Sequence, residues 1–76
     1  MDFKEAEATF EDRHAFIQFD RRHSQVEDRF FIIGKARNGA LLMTVFTVRD
    51  QKIRIISSRR ARRREVRGYE ERVRLQ

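Results

Sequence analysis

From Lys52 to the C-terminus the chain reads KIRIISSRRARRREVRGYEERVRLQ, with eight arginines between Arg54 and Arg72. A guanidinium presents a planar fork of donors that matches two phosphate oxygens at once, whereas a lysine ammonium is a single compact charge. Arginine supplies 15 of the 18 basic residues of the chain. Solubility would be served as well by lysine, so the bias favours phosphate recognition; a GC-rich genome produces the same bias. Within KIRIIS (52–57), Ile53 and Ile55 share one face of a strand and Lys52, Arg54 and Ile56 the other. With the two isoleucines on the core, Arg54 points away from it.

Ser57 or Ser58 is placed to N-cap a following helix, whose exposed N–H groups attract anions. Arg59, Arg60, Arg62, Arg63 and Arg64 then crowd its first turns. They oppose the helix dipole and repel one another, which costs stability unless an anion neutralises them. A purely structural helix places acids in its first turn and bases in its last. Arg54, Arg59, Arg62, Arg63 and Arg64 are therefore expected to form a phosphate-binding surface, weighed against the plainer reading of a solvated helix face.

The elements that must hold these residues follow from periodicity and turn signals. Asp2 and Glu5 stand at capping-box spacing ahead of Phe3, Ala6 and Phe10, which predicts an amphipathic helix over 2–12. AFIQF (15–19) suits a short strand, although Phe16 breaks strict alternation. DRRHSQVED (20–28) is polar and reads as a loop. RFFIIGKA (29–36) and ALLMTVFTVR (40–49) are rich in β-formers and flank Asn38-Gly39, the pair that best accepts the positive φ of a type I′ hairpin turn. Asp50-Gln51 turns the chain into the strand 52–57. A helix is expected from about Ser58, with Val66, Tyr69 and Val73 on its apolar stripe. The predicted class is α+β: a helix, a four-stranded antiparallel meander and a C-terminal helix.

Seventy-six residues make one small domain, 1–76, at most. A core of this size supplies only about 3–5 kcal/mol, and small domains usually add disulfides, a metal or a partner. With no cysteine, a partner chain is the expected supplement, as a homo- or hetero-oligomer, with Val66, Tyr69 and Val73 its contact. No signal peptide is visible, and ALLMTVFTV (40–48) is too short to span a bilayer; the default location is cytoplasmic. The basic helix has too thin an apolar stripe, and no tryptophan, for a membrane surface. Residues 1–38 carry a net −1 and residues 39–76 a net +7, giving +6 in all. Asp12, His14, Asp20 and His23 do not follow a known metal-ligand spacing, and three glycines leave no Gly-rich phosphate loop. No cofactor or metal is expected.

The string IRIISSRRARRREVRGYEE resembles the C-terminal signature of the BrnT toxins, the ribonucleases of a type II toxin–antitoxin system. The resemblance continues upstream through His23-Ser24, Glu27, Arg29, Ile33-Gly34, Gly39-Ala40-Leu41-Leu42, Thr47 and Arg49, and covers Asp2-Phe3 to Glu71. It implies a small RelE-like domain, cleavage of RNA to halt translation as a stress response, and a cognate BrnA-like antitoxin that wraps the toxin. Family members usually begin with a strand and a helix ending in a Lys-His-Gly turn, which nothing here matches. The chain is expected either to start late in its gene or to be a naturally shortened homologue, with an unpaired sheet edge.

Metal-free cleavage of RNA needs cations at the transition state, a base for the 2′-OH and an acid for the leaving 5′ oxygen. Arg59 and Arg63 are expected to clamp the phosphate, since arginine hardly ever deprotonates. Groups able to exchange protons are His14, His23, Glu27, Glu65 and Tyr69. His23, in the polar loop and at a position matched by the resemblance, is preferred as catalytic, although an isolated loop histidine is more often an ordinary surface residue. Tyr69 reads rather as a core or interface residue and Glu65 as an intrahelical partner for arginines. The alternative to a ribonuclease is a non-catalytic, shortened module that binds an antitoxin or nucleic acid.

Overall fold

Alternating β-branched and aromatic residues build a four-stranded antiparallel sheet. The computed structural model describes residues 3–23 and 27–75. Helix α1 (Phe3–Glu7) runs into a 3-10 turn (Ala8–Glu11), followed by strands β1 (Phe16–Phe19), β2 (Phe30–Lys35), β3 (Leu41–Arg49) and β4 (Lys52–Arg60) and by helix α2 (Arg63–Leu75). The strands lie in the order β1-β2-β3-β4, each antiparallel to the next. The architecture is the expected α+β meander between two helices. A further short 3-10 turn, Arg21–His23, lies in the β1–β2 connection.

The first helix is shorter than its amphipathic pattern. The Thr9 hydroxyl donates to the Ala6 carbonyl three residues back at 2.6 Å, and the chain tightens into a 3-10 turn from Ala8. That turn lies directly on β2. A Cβ at Gly34 would come within 3.0 Å of the Thr9 carbonyl oxygen and of the Ala15 side chain, so glycine is what permits the approach. The Glu5 carboxylate accepts from the Asn38 N–H at 3.3 Å; Asp2, the other half of the expected capping box, lies outside the described residues.

On this side of the sheet, Phe10 meets Phe46 edge-on at 5.0 Å, Phe46 stacks on Phe30 at 5.6 Å, and Phe30 meets Phe19 edge-on at 5.6 Å. Among the described residues the buried apolar ones are Ala6, Ile32, Ile33, Ala36, Phe46 and Tyr69. Helix α2 packs on the opposite side, where Gly68 sits against the Phe16 ring and the Arg72 guanidinium lies 5.9 Å from its centre.

The two hairpin turns exchange the roles expected of them. Of Asn38 and Gly39 only Gly39 has positive φ, at 90°. The Gly39 N–H bonds to the Ala36 carbonyl and the Ala36 N–H to the Ala40 carbonyl, a three-residue loop with glycine in the left-handed position. The Asn38 side chain accepts from the Ala40 N–H at 3.0 Å, which is why asparagine suits the place. The two-residue turn with both φ positive lies instead at Asp50 (53°) and Gln51 (65°), between the paired Arg49 and Lys52. A left-handed glutamine costs about 1–2 kcal/mol. Gln51→Gly is thus expected to stabilise the fold by about 1 kcal/mol, or roughly 4–8 °C in melting temperature for a chain of this size. A thermal melt is the check, and an unchanged midpoint would contradict the strain.

Strand β4 does not end at Ser57, and neither Ser57 nor Ser58 caps a helix. The strand continues to Arg60 because β3 offers partners along its whole length, with Thr44 opposite Ser58, Met43 opposite Arg59 and Leu42 opposite Arg60. The buried Thr44 and Ser58 hydroxyls share a hydrogen bond of 2.9 Å, a favourable cross-strand pair. The Ala61 N–H still donates to the Leu41 carbonyl.

A bulge interrupts this ladder. Val45 pairs with Ser57 and Phe46 with Ile55, leaving Ile56 as the extra residue. Residues 54 and 59 are an odd number apart and would project from opposite faces of a regular strand. The inserted residue reverses the alternation. Arg54, Ser57 and Arg59 therefore stand on the α2 side of the sheet, while Ile53, Ile55 and Ser58 stand on the α1 side.

Candidate nucleic-acid interface

The α2 side of the sheet carries an open depression of about 500 Å³. Its floor is Phe31, Met43, Val45, Ile56 and Ser57; Arg22, Arg29, Arg59 and Arg62 stand around it with Asp20 and Glu65. A second depression of about 860 Å³ adjoins it beneath α2 and shares Arg22, Phe31 and Glu65, with Phe16, Ile33, Arg64, Gly68 and Arg72 among its other walls. Together they form one trough with an apolar floor and an arginine rim. Such a surface suits a single strand of nucleic acid, whose bases need apolar contact and whose phosphates need cations.

Three segments bring the cations together. The bulge in β4 turns Arg59 inward. The Asp20 N–H donates to the Arg29 carbonyl at 2.8 Å, which continues the β1–β2 ladder and sets Arg22 and Arg29 beside the trough. The Thr47 hydroxyl donates to the Asp28 carbonyl at 2.7 Å and ties the returning loop to β3. The third segment is the start of α2, where Arg62 occupies the N-cap position and Arg63 the first helical one.

Glu65 organises that start. One of its oxygens accepts from the Arg62 N–H at 2.7 Å, as the third-position glutamate of a capping box does. The same carboxylate receives Nη1 and Nη2 of Arg59 at 2.8 and 2.9 Å, and Arg59 Nη1 also donates to the Arg60 carbonyl at 2.9 Å. The bidentate bond from Arg59 does most to hold the Glu65 carboxyl below its ordinary range; burial opposes this, and the Arg62 N–H adds to it. The side-chain partner of Glu65 is therefore Arg59 on the strand, while Arg62 at the helix start reaches it through its backbone N–H and its charge. The helix also follows its dipole better than a start at Ser58 implied, with Glu65 in its first turn and Arg72 and Arg74 in its last.

The expected site residues fall in different places. Arg59, Arg62 and Arg64 line the trough. Arg54 is exposed on the same sheet face, opposite Thr47. Arg63 is exposed on the first turn of α2, outside the lining of either depression. His23 follows Arg22 in the 3-10 turn; its side chain lies outside the description. Val66 is half-buried, Tyr69 buried and Val73 exposed. Sequence reasoning missed Arg22, Arg29, Asp20 and Ser57, because no spacing relates a loop arginine to a strand some 30 positions away.

Other proton-transfer candidates lie outside the lining of the trough. Glu27 forms an exposed ion pair with Arg49 at 3.5 Å. The Tyr69 hydroxyl donates to Asp12 Oδ2 at 2.6 Å, and this pair lines a separate depression with His14 and Lys35. Burial, followed by the bond to Asp12 and that residue's charge, pushes Tyr69 up to about 12. Among the described residues no group of three His, Cys, Asp or Glu is placed to hold a metal ion, and no helix is long and apolar enough to cross a membrane.

A comparison with curated proteins gives no match. Residues 1–65, which include all four strands, the rim arginines Arg22, Arg29, Arg59 and Arg62, and the Arg59–Glu65 pair, match the family described as "Ribonuclease toxin, BrnT, of type II toxin-antitoxin system". The chain belongs to the BrnT family of ribonuclease toxins, a type II toxin–antitoxin family, which implies an antitoxin as its partner.

Proposed function

We propose that this protein is a metal-independent endoribonuclease that halts translation in the cytoplasm, with single-stranded RNA lying in the trough between β4 and α2. On this reading the domain is RelE-like and acts in a stress response. In the reaction the 2′ oxygen attacks phosphorus and gives its proton to a base. The bond from phosphorus to the 5′ oxygen breaks, and that oxygen takes a proton from an acid. The products are a 2′,3′-cyclic phosphate and a 5′-hydroxyl. Arg59 clamps the scissile phosphate, helped by Arg62 and Arg22, and fixed cations aimed at developing charge are usually the largest single contribution. His23 is the proton-transfer group, since its backbone adjoins Arg22 at the trough. Arg54, Arg63 and Arg64 extend the cationic surface along the RNA.

The observation that carries this reading is the bulge at Ile56, which puts Arg59 on the same face as the loop arginines. Phosphate binding releases counterions, so log affinity should fall with log salt by about 0.7 for each phosphate neutralised on a single strand. Fluorescence anisotropy with a labelled single-stranded RNA at several salt concentrations, beside gel assays of its cleavage in EDTA, tests both halves. Salt-independent binding would remove the trough from the mechanism.

A non-catalytic binding module is the second reading. It is favoured by Glu65, a titratable group of the trough whose carboxylate is already engaged by Arg59 and the Arg62 N–H and is made less basic than an ordinary glutamate by them. Binding of RNA without cleavage would select it. The antitoxin is proposed to be BrnA-like and to cover Val73 and the half-buried Val66; Tyr69, expected to share that contact, is instead buried within the chain against Asp12. Exposed Val73, at 40%, is open to such a partner.

A further inference from the structure

Arg59 is bound on one side and open on the other. Its guanidinium has five N–H bonds. Both hydrogens of Nη1 are engaged, by Glu65 Oε1 and by the Arg60 carbonyl, and one hydrogen of Nη2 is engaged by Glu65 Oε2. Among the described residues two N–H bonds remain without a partner, from Nε and from Nη2. By the covalent geometry of the group these lie side by side on the edge opposite the Arg60 carbonyl, and they form a second fork. The side chain is 34% exposed and lines the trough, so it is open to a ligand there.

We propose that Glu65 is a positioning residue: it grips one fork of Arg59 so that the remaining Nε–Nη2 fork is presented, already oriented, to two oxygens of an RNA phosphodiester. This rests on the reading that RNA occupies the trough. A free arginine side chain must give up the rotamer freedom of its long stem when it binds; one held by a bidentate bond has given most of it up on folding. Glu65 is itself fixed by the Arg62 N–H at the start of α2, so the helix start, the carboxylate and the strand arginine form one rigid unit. Simple electrostatics predicts the opposite effect of the carboxylate, since a negative charge beside Arg59 weakens attraction for phosphate.

The two accounts separate in Glu65→Gln. Glutamine at this helical position can still accept from the Arg62 N–H, which preserves the cap. Its amide, however, replaces one acceptor for Arg59 with a donor and raises the charge of the trough by one. Positioning predicts that kcat for RNA cleavage falls about 10- to 100-fold, as misplaced catalytic groups typically cost, while KM stays the same or drops. It also predicts no further loss when Glu65→Gln is added to Arg59→Ala. A faster or unchanged kcat in Glu65→Gln would overturn the proposal.

A second measurement needs no turnover. The Arg59 Nε–H resonance, assigned through Arg59→Lys, is followed in 15N spectra of the whole chain during titration with a 2′-O-methyl RNA oligonucleotide, which cannot be cleaved. The expected result is a sharp signal that shifts on binding in the wild type and is broadened or unresponsive in Glu65→Gln. If other arginine signals shift while Arg59 does not, RNA binds in the trough but Glu65 merely occupies Arg59, and the proposal fails alone. If none shifts, the trough is not the RNA site and both readings fail.

Discussion

Arg59→Ala should reduce RNA cleavage by about 10²- to 10³-fold, the usual cost of removing one donor aimed at developing transition-state charge. Its position supports so large an effect. It is held within the trough by three hydrogen bonds, close to Arg22, Arg29 and Arg62. The loss should fall mainly on kcat, because an oriented cation acts most strongly where the phosphate gains charge. Arg59→Lys should recover only part of the activity, since an ammonium cannot bridge Glu65 and a phosphate with two parallel forks. Arg54→Ala should behave differently. Arg54 is exposed and free to move, so its removal should raise KM modestly, leave kcat unchanged and reduce the salt slope by about 0.7. Single-turnover and steady-state rates on one RNA distinguish the two patterns. Wild-type rates in Arg59→Ala would place the phosphate clamp elsewhere.

The second large effect is on stability and concerns Asp12. Its carboxylate accepts from the Tyr69 hydroxyl at 2.6 Å, the Lys35 N–H at 2.8 Å and the His14 N–H at 2.9 Å. It thereby joins α2, β2 and the turn before β1. Hydrogen bonds to a charged group contribute about 1.5–3 kcal/mol each but do not add in full. Asp12→Ala should then cost about 3 kcal/mol, in part because the buried Tyr69 hydroxyl loses its acceptor. Against the roughly 3–5 kcal/mol that a core of this size supplies, much of the population should unfold. Urea denaturation followed by circular dichroism measures it. Tyr69→Phe should cost only about 1–2 kcal/mol, because the carboxylate keeps two N–H donors and some contact with water. Equal stability of Asp12→Ala and the wild type would show that the three bonds merely replace water.

These groups also fix the pH range of the fold. The largest influence on Asp12 is burial, which raises its pKa, but the bonds from Tyr69, His14 and Lys35 together with the charge of His14 outweigh it and leave the pKa lowered. Glu65 is lowered as well, chiefly by Arg59. For both, the folded state holds the proton less tightly than the unfolded chain, so their stabilisation is complete above the ordinary carboxylate range and is lost as pH falls through the lowered values. Tyr69 is shifted the other way, to about 12 from 10.0; its contribution is complete below pH 10 and fades as pH rises towards 12.

Much of this molecule was legible as a string of residues. Runs such as FFII and TVFTV are apolar and β-branched or aromatic, and such residues pack on a pleated surface wherever their partners lie; four strands and two helices follow from local preference alone. The resemblance carried by IRIISSRRARRREVRGYEE was equally local. The string pointed to the meander but could not determine its register. Ser58, Arg59 and Arg60 have no strong preference, and they are strand because β3 is nine residues long and offers them partners. The turn signal Asn38-Gly39 was real, but the lengths of β2 and β3 gave it a three-residue loop and left the tighter turn to Asp50-Gln51. One unpaired residue, Ile56, reversed the facing of everything after it, and this places Arg59 with Arg54 and Ser57. The partners of Arg59 come from the loop before β2 and from the start of α2. They meet only when the sheet has formed and both segments have closed over it, so their association depends on tertiary packing, which residue spacing along the chain does not encode.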